Sequence, residues 1–162
     1  MTLGQLYAIA ASRGIEIDDV PMRGLRAVSF PEGWIAIDRR KFKNDTEYKC
    51  ELAHKIGHIE TGSFYNINSS VRERRLNERH ANRYAAELLL PLSELRKAVH
   101  RGMLFNLILA HLFEVTLDFI NMVLDLYKQE LFAAARTRPL CHTVIAPFDM
   151  MSTVYVIPTR SG

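Results

Sequence analysis

Apolar and polar positions along this chain repeat with two different periods, and each change of period marks an element. Residues 3–12 read as a short helix that stops at Arg13-Gly14, with glycine as the terminator. Residues 15–20 alternate apolar and acidic side chains, as a half-buried strand does. The β-prone runs 27–30 and 34–37 flank Pro31-Glu32-Gly33 and predict a hairpin. Asn44, with Glu47 three residues on, resembles a capping box. A helix is therefore expected over 45–60, ended by Thr61-Gly62-Ser63. A polar loop with Asn66, Asn68, Ser69 and Ser70 follows. A second long helix then starts at Val71 or Leu76 and reaches Leu90, where Pro91 stops it. Ser93 is the expected cap of a short helix that runs to His100. Residues 104–113, the turn Glu114-Val115-Thr116 and residues 117–131 outline a helix-turn-helix. From Pro139 the composition shifts. Runs 143–146 and 153–157 are β-prone but interrupted by prolines, so residues 132–162 are expected to be an extension, either a hairpin or a poorly ordered tail. The pattern as a whole predicts an α+β fold: a small three-stranded sheet packed on two long helices, with a helix-turn-helix-like region behind them.

Composition narrows the class. A chain of 162 residues is one ordinary domain with room for a core. Its 48% hydrophobic and 24% charged residues fit a soluble globular protein. The N-terminus lacks the pattern of a secretory signal. The longest apolar-rich stretch, 103–126, carries Asn106, His111, Glu114, Asp118, Asn121 and Asp125, too many polar groups for a membrane span. A cytoplasmic protein without membrane contact is expected. Cys50 and Cys141 lie far apart in no metal-like spacing, so both are expected to be free thiols. The net charge of +3 is mild. Arg72, Arg74, Arg75, Arg79 and Arg83 are expected to form a solvated helix face rather than a nucleic-acid site.

The chemistry is concentrated on the two long helices. His54 and His58 stand at i and i+4 and so share one helix face, close enough to bind a single metal ion. Tyr48, Leu52, Ile56 and Ile59 occupy the opposite face, so one side of this helix is core and the other a cleft. Catalytic zinc sites use three protein ligands and leave one position open. Glu78 follows His58 by twenty residues and shares a face with Asn82. Glu78 is the candidate third ligand, and Asn82 the candidate acceptor for the far ring nitrogen of a histidine ligand. The competing reading makes Glu78 a surface partner of Arg74 or Arg75, worth a few tenths of a kcal/mol. Tyr65, Tyr84 and His80 are candidate donors to an oxyanion, although nothing in the spacing singles any of them out. Glu87 is half a turn out of phase with Glu78 and is not expected to be a ligand.

His54-Lys-Ile-Gly-His58 resembles the HExxH zinc motif. Its continuation Ile59-Glu-Thr-Gly-Ser-Phe-Tyr65, the later Glu78-Arg-His-Ala-Asn82-Arg-Tyr-Ala-Ala-Glu-Leu-Leu-Leu-Pro91, and the earlier Met22-Arg-Gly-Leu-Arg-Ala-Val-Ser-Phe-Pro-Glu-Gly-Trp-Ile-Ala-Ile-Asp38 are similar to segments of the ImmA/IrrE family of phage- and mobile-element-associated metallopeptidases. The resemblance covers residues 1–130, including the helix-turn-helix-like stretch 104–131, and leaves 132–162 outside. It implies a gluzincin-like site on zincin-like helices, with zinc held by His54, His58 and Glu78. It also implies that the partner is a helix-turn-helix repressor, cleaved to release the genes it silences. The family often has aspartate where this chain has Asn82.

Lys55 departs from the family at the catalytic position. In HExxH enzymes the glutamate after the first histidine takes a proton from the attacking water and passes it to the leaving amine. An ammonium group has no lone pair to accept that proton. At about 5 Å its repulsion with a dication is on the order of several kcal/mol, even at an effective dielectric near 20. Lys55 can lose its proton and act as the base, or it can turn back and pair with Glu51 in the favourable glutamate-before-lysine order. The second is the expected outcome. Loss of a general base costs about 10² to 10⁴ in rate, so peptidase activity is expected to be impaired while zinc is kept.

Two function classes remain: a weakened zinc endopeptidase, and a catalytically inactive zinc-binding module that holds its protein partner. Direct DNA reading is not expected. In 117–131 only Lys128 offers a base-contacting cation.

Overall fold

The computed structural model describes residues 1–137, with side chains as far as Lys128. Of the extension expected at 132–162, residues 132–137 continue the last helix, whereas the β-prone runs 143–146 and 153–157 and the thiol of Cys141 lie outside the described residues.

The first helix, α1 (Leu3–Ser12), is closed at its start by a Thr2–Gln5 capping box. Gly14, at φ 70°, turns the chain into strand β1 (Glu16–Asp19). Strands β2 (Ala27–Phe30) and β3 (Trp34–Ile37) form the expected hairpin, and β3 lies in the middle of the sheet. The order is β1-β3-β2, with β1 parallel and β2 antiparallel to β3. Central position explains burial: Ile35, Ala36 and Ile37 are all buried, whereas the edge strand β1 is mostly exposed. Across the hairpin, paired Phe30 and Trp34 stack with ring centres 4.7 Å apart. The crossover from β1 to β2 is tied down by buried Asp38, which accepts the Met22 N–H at 2.9 Å and both guanidinium bonds of Arg40.

A single turn of 3₁₀ helix, Arg39–Lys41, leads into α2 (Asp45–Thr61). Asn44 caps α2 by accepting the Glu47 N–H at 2.8 Å. The expected capping box forms only in half. The Glu47 carboxylate accepts the Lys43 N–H, one residue before the cap, while its other oxygen pairs with Arg26. Helix α3 (Val71–Leu89) starts at the earlier of the two expected positions, because Ser70 and Glu73 make a complete capping box there. Helix α4 (Leu92–His100) corrects the cap expected at Ser93. Pro91 holds the cap position and Ser93 lies inside the first turn. Proline lacks an N–H, so it opens a helix without leaving a donor unpaired.

Helices α5 (Asn106–Phe113) and α6 (Leu117–Thr137) meet at 107° around Glu114, the one described non-glycine residue at positive φ. Phe119, Ile120, Val123 and Tyr127 of α6 enter the core, and the Tyr127 hydroxyl donates to the Leu90 carbonyl at 2.9 Å. Among the described residues, no single helix is long and apolar enough to cross a membrane.

The core joins the sheet, α1 and α2 through Leu6, Ile35, Ile37, Tyr48, Leu52 and Ile56. Helices α2 and α3 share the most extensive packing in the fold, and Gly57 sets how closely they approach. A Cβ there would sit 3.1 Å from the Ala81 Cα and nearer still to the Ala81 carbonyl oxygen. Bare backbone at this crossing lets α3 come near enough for Glu78 to face α2.

Candidate metal centre

His54 and His58 project from α2, and Glu78 meets them from α3. The two Nε2 atoms are 3.1 Å apart. Glu78 Oε2 is 3.3 Å from His54 Nε2, and Glu78 Oε1 is 3.4 Å from His58 Nε2. These residues could hold a metal ion. Ligand atoms bound at about 2.0–2.1 Å to one tetrahedral ion lie roughly 3.3 Å from one another, close to the distance of each imidazole nitrogen from the Glu78 oxygen that faces it. The competing arginine-paired placement of Glu78 is not the one observed.

The ring of His58 is preset for ligation. Its Nδ1 lies 2.6 Å from the Ser63 carbonyl oxygen. A carbonyl only accepts, so Nδ1 must carry a hydrogen, which leaves Nε2 as the ring nitrogen that a metal ion could take. Ser63 also donates its N–H to the His58 carbonyl at 3.0 Å, just past Gly62, the left-handed cap of α2. His58 and Ser63 therefore clamp each other through backbone and ring together. His54 differs. Its Nδ1 is buried and makes no hydrogen bond among the described residues. Asn82 lines the same cleft, but it does not make the bond to a histidine expected of it. The carbonyl of Ser63 serves His58 instead.

Glu78 sits in a strongly ionising environment. Hydrogen bonds with His54, then with His58, hold its carboxyl far below the usual carboxylate range and outweigh the opposing effect of burial. The Tyr65 hydroxyl adds to this by donating to Glu78 Oε1 at 2.6 Å. That hydrogen bond, and after it burial and the Glu78 charge, push the Tyr65 phenol up in turn. The loop carrying Tyr65 is fastened to α3 by Asn77 Nδ2, which donates to the Phe64 carbonyl at 2.9 Å. Tyr65 thus belongs to the site. Tyr84 does not, because its hydroxyl donates to Glu60. His80 is exposed, and Glu87 pairs with Arg83.

A cleft of about 510 Å³ opens beside the centre, lined by His54 and Glu78 together with Arg26, Glu47, Cys50, Glu51, Asn82 and Phe119. Lys55 is not among its lining residues. The lysine Nζ instead lies 3.4 Å from Glu51 Oε1, the pairing expected from the sequence.

The signals for Tyr65 and Ser63 were absent from helical periodicity, because both stand in an irregular loop. Gly57 did carry a signal. A glycine inside a helix costs about 1 kcal/mol relative to alanine, so its presence points to a packing reason.

No curated protein and no solved structure matches the chain. A family model does match: that of the IrrE N-terminal-like domain, Peptidase_M78, over residues 18–125. That span contains the whole sheet apart from the first strand's opening residues, both long helices, and the His54, His58 and Glu78 cluster, and the chain belongs to this ImmA/IrrE family of metallopeptidase-like proteins.

Proposed function

We propose that the chain is a zinc-binding member of this family whose hydrolysis of peptide bonds is impaired by Lys55, and that the protein it acts on is a helix-turn-helix repressor. Two neutral imidazoles and one carboxylate are a donor set suited to zinc, and zinc bound there would supply Lewis-acid polarisation of a peptide carbonyl. The chain's own residues do the rest. His54, His58 and Glu78 hold the ion, Ser63 fixes the His58 tautomer, and the open side of Glu78 admits a polypeptide from the cleft.

The observation that carries the impaired reading is the Lys55–Glu51 pair at 3.4 Å. The residue after the first histidine is engaged along its own helix and offers no carboxylate to accept a proton. The same observation supports a second reading, in which the chain binds its protein partner without cutting it. Zinc content and cleavage of a candidate repressor, measured for the chain and for Lys55→Glu, test both. Stoichiometric zinc with cleavage only in the variant fits the proposal. Equal, efficient cleavage by both chains refutes the part assigned to Lys55.

A further inference from the structure

The Glu78–Asn82 edge of α3 borders two grooves. One is the cleft beside the metal centre. The other, about 540 Å³, lies between α3 and α6 and is lined by Val71, Met122 and Leu126 with Arg75, Arg79 and Asp125. Both grooves include Glu78 and Asn82 in their walls, so they meet at the metal centre. A chain lying in one leads directly into the other.

The charges in the second groove are unequal in their engagement. Arg74 is held by the Ser69 carbonyl at 3.0 Å and the Ile67 carbonyl at 2.7 Å. Arg75 and Arg79 are exposed and make no ion pair among the described residues. They stand over an apolar floor whose edge residue Val71 is 66% exposed. Cations beside an apolar floor complement a segment that carries both carboxylates and aliphatic side chains. Nucleic acid is a poorer match, because among the described residues no aromatic ring lines this groove to stack on a base.

We propose that the α3–α6 groove binds an acidic, aliphatic stretch of the polypeptide whose neighbouring residues enter the metal cleft. This rests on the peptidase-like reading above and gives it a substrate class. Arg75 and Arg79 supply the charge preference, and Met122 and Leu126 the apolar contact.

The test uses the full chain, with and without added zinc, and three fluorescein-labelled probes followed by anisotropy: a ten-residue peptide alternating leucine and glutamate, its leucine–lysine counterpart, and a ten-nucleotide single strand. The glutamate peptide should bind about tenfold more tightly than the lysine peptide. The double variant Arg75→Glu, Arg79→Glu should lose or invert that preference, with an unchanged melting temperature because both side chains are exposed. Equal binding of the two peptides, binding of neither, an unaltered preference in the variant, or tighter binding of the oligonucleotide would each overturn the proposal. Zinc content and cleavage are measured separately. Acidic preference without zinc or cleavage leaves the groove assignment standing and removes the peptidase-like reading. Cleavage without acidic preference does the reverse.

Discussion

Lys55 and Glu51, one turn apart on α2, form an ion pair at 3.4 Å that turns the lysine along its own helix. The pair is worth only a few tenths of a kcal/mol. Its weight lies in where it holds residue 55, which as a lysine offers no carboxylate next to the first histidine. Lys55→Glu should restore a proton acceptor and raise peptide-bond hydrolysis by about 10² to 10⁴. Repulsion between Glu51 and the introduced carboxylate at i, i+4 costs only a few tenths of a kcal/mol, too little to offset that gain. Rates on a candidate repressor at matched zinc content decide the matter, and a variant no faster than the parent contradicts it.

Gly57→Ala presents two opposed effects. Alanine gains about 1 kcal/mol in helix propensity. The added Cβ, however, meets the Ala81 backbone, which cannot swing away as a flexible side chain can. Overpacking of this kind costs about 1–3 kcal/mol, so net destabilisation is expected, together with weaker metal binding as α3 is pushed off. Urea unfolding and zinc titration report the two parts. Gly4→Ala in α1, where a Cβ meets nothing within 4 Å, is the control and should not destabilise.

Metal should act as a folding ligand. At a free zinc concentration one hundred times Kd, the stabilisation is about 2.7 kcal/mol. For a chain of this size that corresponds to roughly 5–10 °C in Tm. Adding a chelator should reverse it. In Glu78→Gln, which removes the anionic donor, the zinc-dependent shift should largely vanish. Calorimetry with and without chelator checks this, and an equal shift in the variant would remove Glu78 from the ligand set.

The Cys50 thiol should resist alkylation at neutral pH in the native state. Burial pushes it up from its ordinary value, which favours the thiol over the thiolate that reacts. Peptide mapping after brief iodoacetamide treatment should find Cys50 unmodified in the folded chain and modified in urea. Rapid native labelling would mean that the α2 face is open to solvent there.

Much of this arrangement was legible in the sequence. The spacing of His54 and His58 placed two imidazoles on one face, and Gly62 and Pro91 marked the ends of the helices that bear the site. Periodicity speaks only for one element at a time, however. It could not give the parallel pairing of β1 with β3, which depends on a tertiary crossover. Nor could it choose between Arg74 and the histidines as the company of Glu78. That choice is made by the close approach at Gly57, a contact between helices. Asn82 shows the limit most clearly. Its phase on α3 is right, but phase does not measure reach, and the Ser63 carbonyl, from an aperiodic loop, makes the bond instead.

The double tie between His58 and Ser63 has a kinetic consequence. The same few residues close the end of α2 and hold the ligand ring in register. Fraying of that last turn would release the imidazole, so the residence time of an ion held there would be governed by a local opening far smaller than global unfolding. Exchange of bound zinc should accordingly keep pace with amide hydrogen exchange at the end of α2, even while the sheet beneath it stays closed.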